Sequence, residues 1–325
     1  MKSKSAKPTD YFWSLLPHTL RPPSPNQISS QQIQPTPLEK FHHLYLKRED
    51  QSPTHSHKFR ALISQLSQLK TKGARAAVLS SSGNAALAAA FYAPAAQIKI
   101  FLLLATKTPP AKLAALAQKI TPFTIPILSP RPIRLANYLA AKFHLPDLRP
   151  SRDPQAAQGF QTLGLELYHQ NPQIQNIFSY FTSGASLTGI LAAYRKIKQQ
   201  QKIPHLPRLF GVYLENDLSP RQFESVTAVC QASKGQIVKI SEAEFLTSRQ
   251  KFLTELKEQG LAATSDEGLA SLNAAIKIQP PGKTVVILTG AELKNVPPKK
   301  YPSFNYAENL TTIQQILTKH GYPPN

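Results

Sequence analysis

Between residues 44 and 288 short apolar runs alternate with stretches of helical periodicity, and no other feature narrows the fold of this chain as far. Runs at 44–47, 76–80, 98–104, 123–128, 174–181, 208–214, 237–240 and 284–288 read as strands. Stretches at 58–70, 85–92, 110–119, 133–143, 156–170, 187–200, 222–232, 242–259 and 267–276 read as helices. Consecutive strands joined through a helix pair in parallel, so repeated βα units predict a mainly parallel sheet with helices on its faces. The polar, proline-rich loop LPDLRPSRDP at 145–154 is the natural place to divide them. The expectation is an α/β fold of two doubly wound, mainly parallel domains. Residues 1–39 form an irregular arm, 40–150 a smaller α/β domain and 151–325 a larger one. Ligands in such folds bind at the carboxyl ends of strands and in domain clefts, so a site in the cleft between the two is expected.

Lysine and arginine number 38 against 18 acidic residues, a formal net charge of +20. The cations are spread along the chain, at Lys70, Arg75, Lys99, Arg134, Lys198 and Lys251 among others. Such a spread predicts nonspecific attraction to polyanions, not specific nucleic-acid recognition, and no zinc-finger or RNA-recognition signature accompanies it. A single cysteine, Cys230, excludes an internal disulfide and suits a reducing compartment. No run has the length of a signal-peptide core or a membrane span, so a cytoplasmic protein is expected.

Chemistry concentrates at a few turns. Lys58 ends the run LYLKREDQSPTHSHK, where the pattern changes from loop to helix. There the positive end of the helix dipole, and burial if it occurs, favour the free amine used in Schiff-base chemistry. The same position also suits a solvated lysine on a first turn, so partners elsewhere must decide. At 180–189, YFTSGASLTG runs from a strand through Ser183, Gly184, Ala185 and Ser186 to a helix from Leu187, an arrangement whose amides converge on an anion. A second such turn, Ser81, Ser82 and Gly83, precedes Asn84, which is either a ligand contact or a helix cap. Thr289 ends the last apolar run, as a cap or a contact. His55 and His57 flank Lys58 without a carboxylate or cysteine cluster at ligand spacing, so no metal site is expected. As groups titrating near neutrality, they would make activity pH-sensitive. Dinucleotide, Walker and acyl-transfer signatures are absent.

In chain order Thr36-Pro37-Leu38, LKRED, SPTHSHKFR, SSSGN, QGFQT, TSGAS, Gly211-Val212 and Leu288-Thr289-Gly290 resemble the motifs of the pyridoxal-phosphate enzymes related to tryptophan synthase β, cysteine synthase, threonine dehydratase and threonine synthase. The resemblance implies the fold type II architecture, with the arm of residues 1–39 packing on the second domain and pyridoxal 5'-phosphate carried on Lys58. It further implies that Ser183, Gly184, Ala185, Ser186 and Leu187 hold the phosphate, that Asn84 meets the phenolic oxygen and Thr289 the ring nitrogen, and that Ser81, Ser82 and Gly83 bind the substrate carboxylate. A hydroxyl at the ring nitrogen makes a milder electron sink than a carboxylate, which implies elimination or replacement, not transamination. QGFQTLGLEL and LTGAELK are most similar to threonine synthase, so β/γ-elimination or replacement of that type on an amino acid is expected, in a homodimer. A cysteine-synthase-like or serine/threonine dehydratase-like lyase is the alternative, and a non-catalytic binding protein on the same scaffold is the reading from another class. The chain departs from the family at His55 and His57, where glycine and an apolar residue are usual. It also has one glycine, Gly184, in the phosphate turn, and Glu292 where a second glycine follows Thr289.

Overall fold

A computed structural model describes residues 34–81, 83–150, 152–215, 220–261, 264–291 and 304–323. The expected arm therefore lies outside the described residues as far as residue 33. The elements begin with β1 (Leu38–Phe41), β2 (Leu44–Lys47), α1 (Lys58–Thr71), β3 (Ala76–Ser80), α2 (Asn84–Ala96), β4 (Lys99–Ala105) and α3 (Pro110–Ala117). They continue with β5 (Thr124–Ser129), α4 (Pro132–Lys142), α5 (Gln155–Gln170), β6 (Asn176–Tyr180), α6 (Ala185–Gln199) and β7 (Arg208–Leu214). The last are α7 (Pro220–Ala232), β8 (Gln236–Ile240), α8 (Glu242–Glu258), α9 (Asp266–Ile278), β9 (Thr284–Ile287), β10 (Asn305–Tyr306) and α10 (Leu310–Lys319).

The described residues fall into two compact units, 34–61 with 156–291, and 62–155 with 304–323. The first is built on a six-stranded sheet in the order β1-β2-β9-β6-β7-β8, parallel except for the β1–β2 hairpin. Successive residues of a strand point to opposite faces. Ile177, Leu209, Val285 and Ile287 accordingly pack with residues of α5, α6 and α7, including Leu163, Leu187, Ile190 and Val226. Phe178, Phe210, Val212 and Val286 face the other way, onto Phe245 and Phe252 of α8 and Leu269 and Leu272 of α9. Phe178 and Phe210 stack with centroids 4.2 Å apart. Each such fully buried side chain stabilises by about 2 kcal/mol.

The second unit carries the all-parallel sheet β10-β5-β4-β3. Val78, Phe101, Leu103, Ile125 and Ile127 form its core with Leu135 and Leu139 of α4 and Ile313 and Leu317 of α10. The α/β class and the parallel sheets agree with the sequence reading. The domain bounds of 40–150 and 151–325 do not describe the contacts. Residues up to Ala61 go with the later part of the chain because β2 pairs with β9, and the C-terminal segment goes with the middle because β10 pairs with β5.

Register sets up the site. Ile287 of β9 lies between Lys47 of β2 and Ser179 of β6, and Tyr180 lies beside Val212 of β7. The turns after β2, β9 and β6 therefore leave one edge of one sheet, the carboxyl edge where ligands of such folds bind.

Candidate functional site

The turn after β2 is closed by Ser52, whose hydroxyl accepts from the Ser56 amide and donates to the Ser56 carbonyl, both at 2.9 Å. His55 occupies the left-handed region at φ 56°, which accounts for glycine being usual there. The next residues are stapled to the segment beyond β9. The His57 amide donates to the Thr289 carbonyl at 3.0 Å, the Ala291 amide donates to the His55 carbonyl at 2.9 Å, and Ser56 bridges to Gly290. His57 Nδ1 lies 2.7 Å from the same Thr289 carbonyl. A carbonyl only accepts, so Nδ1 carries the proton and the imidazole is held in one tautomer. Burial, with the Lys58 charge next to it, pushes His57 down to about 3. The pH-sensitivity expected of His57 is thereby corrected, because it stays neutral throughout the physiological range.

Lys58 is the first residue of α1, with its amide donating to Ser56 Oγ at 3.2 Å. It is half-buried, and its Nζ stands 5.9 Å from the Phe160 ring centroid. Among the described residues no carboxylate pairs with Nζ. Burial therefore lowers the amine to about 8, against the smaller opposing field of Glu267. A solvated first-turn lysine would keep its ordinary value, so the reactive-amine reading is the one this environment favours.

Behind Lys58 lies a buried ionic frame. Lys47 Nζ donates to the Thr36 carbonyl at 2.7 Å and to Glu166, while Arg60 donates to both Glu49 oxygens at 2.8 Å and to Glu166 at 3.1 Å. Thr36 Oγ1 donates to Glu49 at 2.5 Å. Two cations face two carboxylates with each charge hydrogen-bonded, the condition for burying them at tolerable cost. Burial alone would raise Glu49, yet Arg60 and Lys47 hold it down to about 2. The motif residues Thr36, Lys47, Glu49 and Arg60 thus serve to fix the turn and helix that present Lys58. Gly159 belongs to the same frame. A Cβ there would sit 2.1 Å from the Arg60 carbonyl oxygen, so α5 reaches the start of α1 only through glycine. That approach brings the Phe160 ring to 5.2 Å from His57.

After β6 the chain turns through 182–184 into α6. Gly184 is at φ 72°, and a Cβ on it would meet Val226 at 2.5 Å. Ser183, Ala185 and Ser186 are not at positive φ, so the loss of the family's other glycines costs no backbone strain. No side chain caps α6, and the first amide to return to the turn is Thr188, onto the Gly184 carbonyl at 3.0 Å. The amides of Ala185, Ser186 and Leu187 are the orphan donors of a helix N-terminus, beside a buried Ser186. Thr289 is 5% exposed, and among the described residues its hydroxyl has no partner.

Ser81, Gly83 and Asn84 stand in the other unit, at the carboxyl end of β3. Gly83 is the N-cap of α2 and its amide donates to Ser81 Oγ at 3.4 Å. Asn84 is the first helical residue and caps nothing, which removes the cap reading. Ser82 and Glu292 lie outside the described residues. Phe160, Glu166 and Glu267 escaped the sequence reading of the site, and His57 was read there only as a titrating neighbour of Lys58. Phe160 and Glu166 had a signal, both inside QGFQTLGLEL. Among the described residues no group of His, Cys, Asp or Glu is placed to hold a metal ion, and no helix is long and apolar enough to cross a membrane.

This donor set fits pyridoxal 5'-phosphate: an amine lowered toward neutrality, uncapped amides for a dianion, and an unpartnered hydroxyl at the adjoining strand end. Residues 29–290 match the family described as pyridoxal-phosphate dependent enzyme. The chain belongs to that family. Its cofactor is pyridoxal phosphate and its fold is type II. The biosynthetic L-threonine dehydratase of Burkholderia multivorans is 28% identical over 167 residues, 49% of this chain and 33% of that relative, so the alignment spans a third of the curated relative's length. Threonine deaminase isoform 2 of Solanum lycopersicum superimposes with a TM-score of 0.69 at 18% identity, over 89% of this chain and 93% of that one. Maize serine racemase superimposes with a TM-score of 0.69 at 16% identity, over 97% and 98%. At these identities the structural likeness is one of fold.

Proposed function

We propose that the chain is a pyridoxal-phosphate-dependent lyase that removes water from a β-hydroxy amino acid, in the manner of a threonine or serine dehydratase. The observation that carries this is Lys58, an amine lowered to about 8 and stapled to the segment of Thr289. The activity named for the Burkholderia multivorans relative supports the choice of reaction. Bound at this site, the cofactor withdraws electrons from the substrate Cα and acidifies its Cα–H. The amides of Ala185, Ser186 and Leu187, with Ser183, Gly184 and the Ser186 hydroxyl, hold the phosphate. Thr289 is the neutral partner of the ring nitrogen and Asn84 the partner of the phenolic oxygen. Ser81 and Gly83 receive the substrate carboxylate. Lys58 takes the Cα proton and delivers it to the departing β-hydroxyl, which leaves as water. Hydrolysis of the resulting unsaturated amine gives a 2-oxo acid and ammonia. A base near the working pH suits both taking and returning the proton.

A threonine-synthase-type replacement is the second reading, from QGFQTLGLEL and LTGAELK. The first of these segments has a packing explanation. Gly159 clears the Arg60 carbonyl, Gln161 accepts from Lys196 at 2.7 Å, and Thr162 accepts from Arg60 at 3.1 Å. These residues report on the frame, which leaves the dehydratase reading ahead. Purified protein with pyridoxal phosphate should form 2-oxo acid from L-threonine or L-serine, and Lys58→Ala should not. Phosphate release from a γ-phosphorylated amino acid, without 2-oxo acid, would favour the synthase. A cofactor-loaded protein that exchanges no Cα proton of any amino acid would leave only the binding-protein reading.

A further inference from the structure

At the amino-terminal edge of the six-stranded sheet, opposite the edge that bears Thr289, four turns converge: 171–175 before β6, 200–207 before β7, 233–235 before β8 and 279–283 before β9. They line a cavity of about 960 Å³, large enough for a small organic ligand. Lys198, Arg208, Lys234 and Lys283 line it together with Ile203 and Leu206. No acidic residue stands between Glu166 and Glu215, between Glu224 and Glu242, or between Glu267 and Glu292, so the segments that build the cavity are free of carboxylates.

The cations are held by neutral groups or by none. Arg208 donates to Asn176 Oδ1 at 2.9 Å and to the Pro281 carbonyl at 3.0 Å, and Lys283 donates to the Gln173 side-chain carbonyl. Among the described residues the Lys198 and Lys234 ammonium groups have no hydrogen bond or ion pair. One ordinary role for such lysines is to offset the negative ends of helices, and α5, α6, α7 and α9 all end at this edge. Four helix ends of about half a charge each sum to about −2. Four cations lining one cavity exceed that by about two charges. Helix offset therefore leaves an uncompensated positive cavity.

We infer that this cavity binds a small multiply charged anion, a polyphosphate or phosphate ester. Ammonium groups act on phosphate oxygens as mobile point charges, while Arg208 is already oriented. Ile203 and Leu206 offer apolar surface to the body of an ester. This assigns part of the +20 charge to a defined place, and it stands apart from the reading of the cofactor site.

The test uses protein saturated with pyridoxal phosphate, so that its own phosphate-binding turn is filled. Calorimetric titration with tripolyphosphate at physiological salt should show one saturable site per chain. Lys198→Gln/Lys234→Gln should weaken it about tenfold or more, which is 1.4 kcal/mol or more. Lys107→Gln/Lys142→Gln, the same charge removed from exposed positions in the other unit, should leave it unchanged. Should the first double variant melt earlier than the native protein, Lys283→Gln alone must show a weaker loss of the same kind. Equal weakening in both double variants, absence of saturable binding, or binding only of a single-stranded DNA oligonucleotide to all variants alike overturns the inference in favour of nonspecific attraction.

Discussion

Glu166→Gln removes one charge from the buried frame and changes almost no volume. Glu166 is 1% exposed and accepts from Lys47, from Arg60 at 3.1 Å and from the Thr36 amide at 2.9 Å. With glutamine, Lys47 and Arg60 face Glu49 alone, and the new NH2 group adds a donor among donors. Removing one partner of a buried pair costs about 3–5 kcal/mol, since the other charge stays buried and unpaired. Against a total stability of about 5–15 kcal/mol, that is a large fraction of the fold. Urea denaturation read by circular dichroism should show a lower midpoint with an unchanged slope. The double variant Lys47→Met/Glu166→Leu supplies the control, because replacing both partners with apolar groups of similar size recovers much of the loss. A Glu166→Gln cost below about 1 kcal/mol, or a double variant no more stable than the sum of its singles, would refute the account of the frame.

Other consequences are more local. Glu49 sits at about 2 when folded against an ordinary 4.5, so its contribution is present above pH 4.5 and is lost as pH falls toward 2. Acid titration of the unfolding free energy should recover about 3 kcal/mol in that window, and Glu49→Gln should flatten it. Gly184→Ala forces a side chain into the left-handed region and onto Val226, so cofactor retention should fall by tenfold or more on gel filtration. Ser186→Ala removes one hydroxyl from an anion held by amides and should weaken cofactor affinity by about 1 kcal/mol in fluorescence titration. The amine of Lys58, lowered to about 8, should react with the cofactor at a rate that rises as pH passes through 8 and then levels, well below the ordinary lysine range.

What could be read in advance depends on how local the cause is. The run TVVIL at 284–288 announces β9 because a strand buried on both faces is apolar without interruption. The turn from β6 into α6 was legible because small residues between an apolar run and a helical pattern suffice to mark it, and within it Gly184 is the position at positive φ. β10 is two residues long and exists only through its pairing with β5, so no pattern announces it. The domain bounds were missed for a related reason. A polar loop at 145–154 is a local signal, while the pairing of β2 with β9 joins segments far apart in the chain. Lys58 could be picked out from its turn and helix, but the bond from His57 to the Thr289 carbonyl is a tertiary contact, and so is the field of Glu267. His57 reads as a pH switch in sequence and as a neutral staple in place, a reversal that burial brings about with the Lys58 charge beside it.

The central claim is that Lys58 is the amine that carries pyridoxal phosphate. Borohydride reduction of the holoprotein, followed by proteolysis and mass spectrometry, tests it most directly. The account predicts one phosphopyridoxyl peptide, modified at Lys58, and none in a folded Lys58→Ala variant. Label on a different lysine in the native protein, or no label on a protein whose circular dichroism is native, would contradict it.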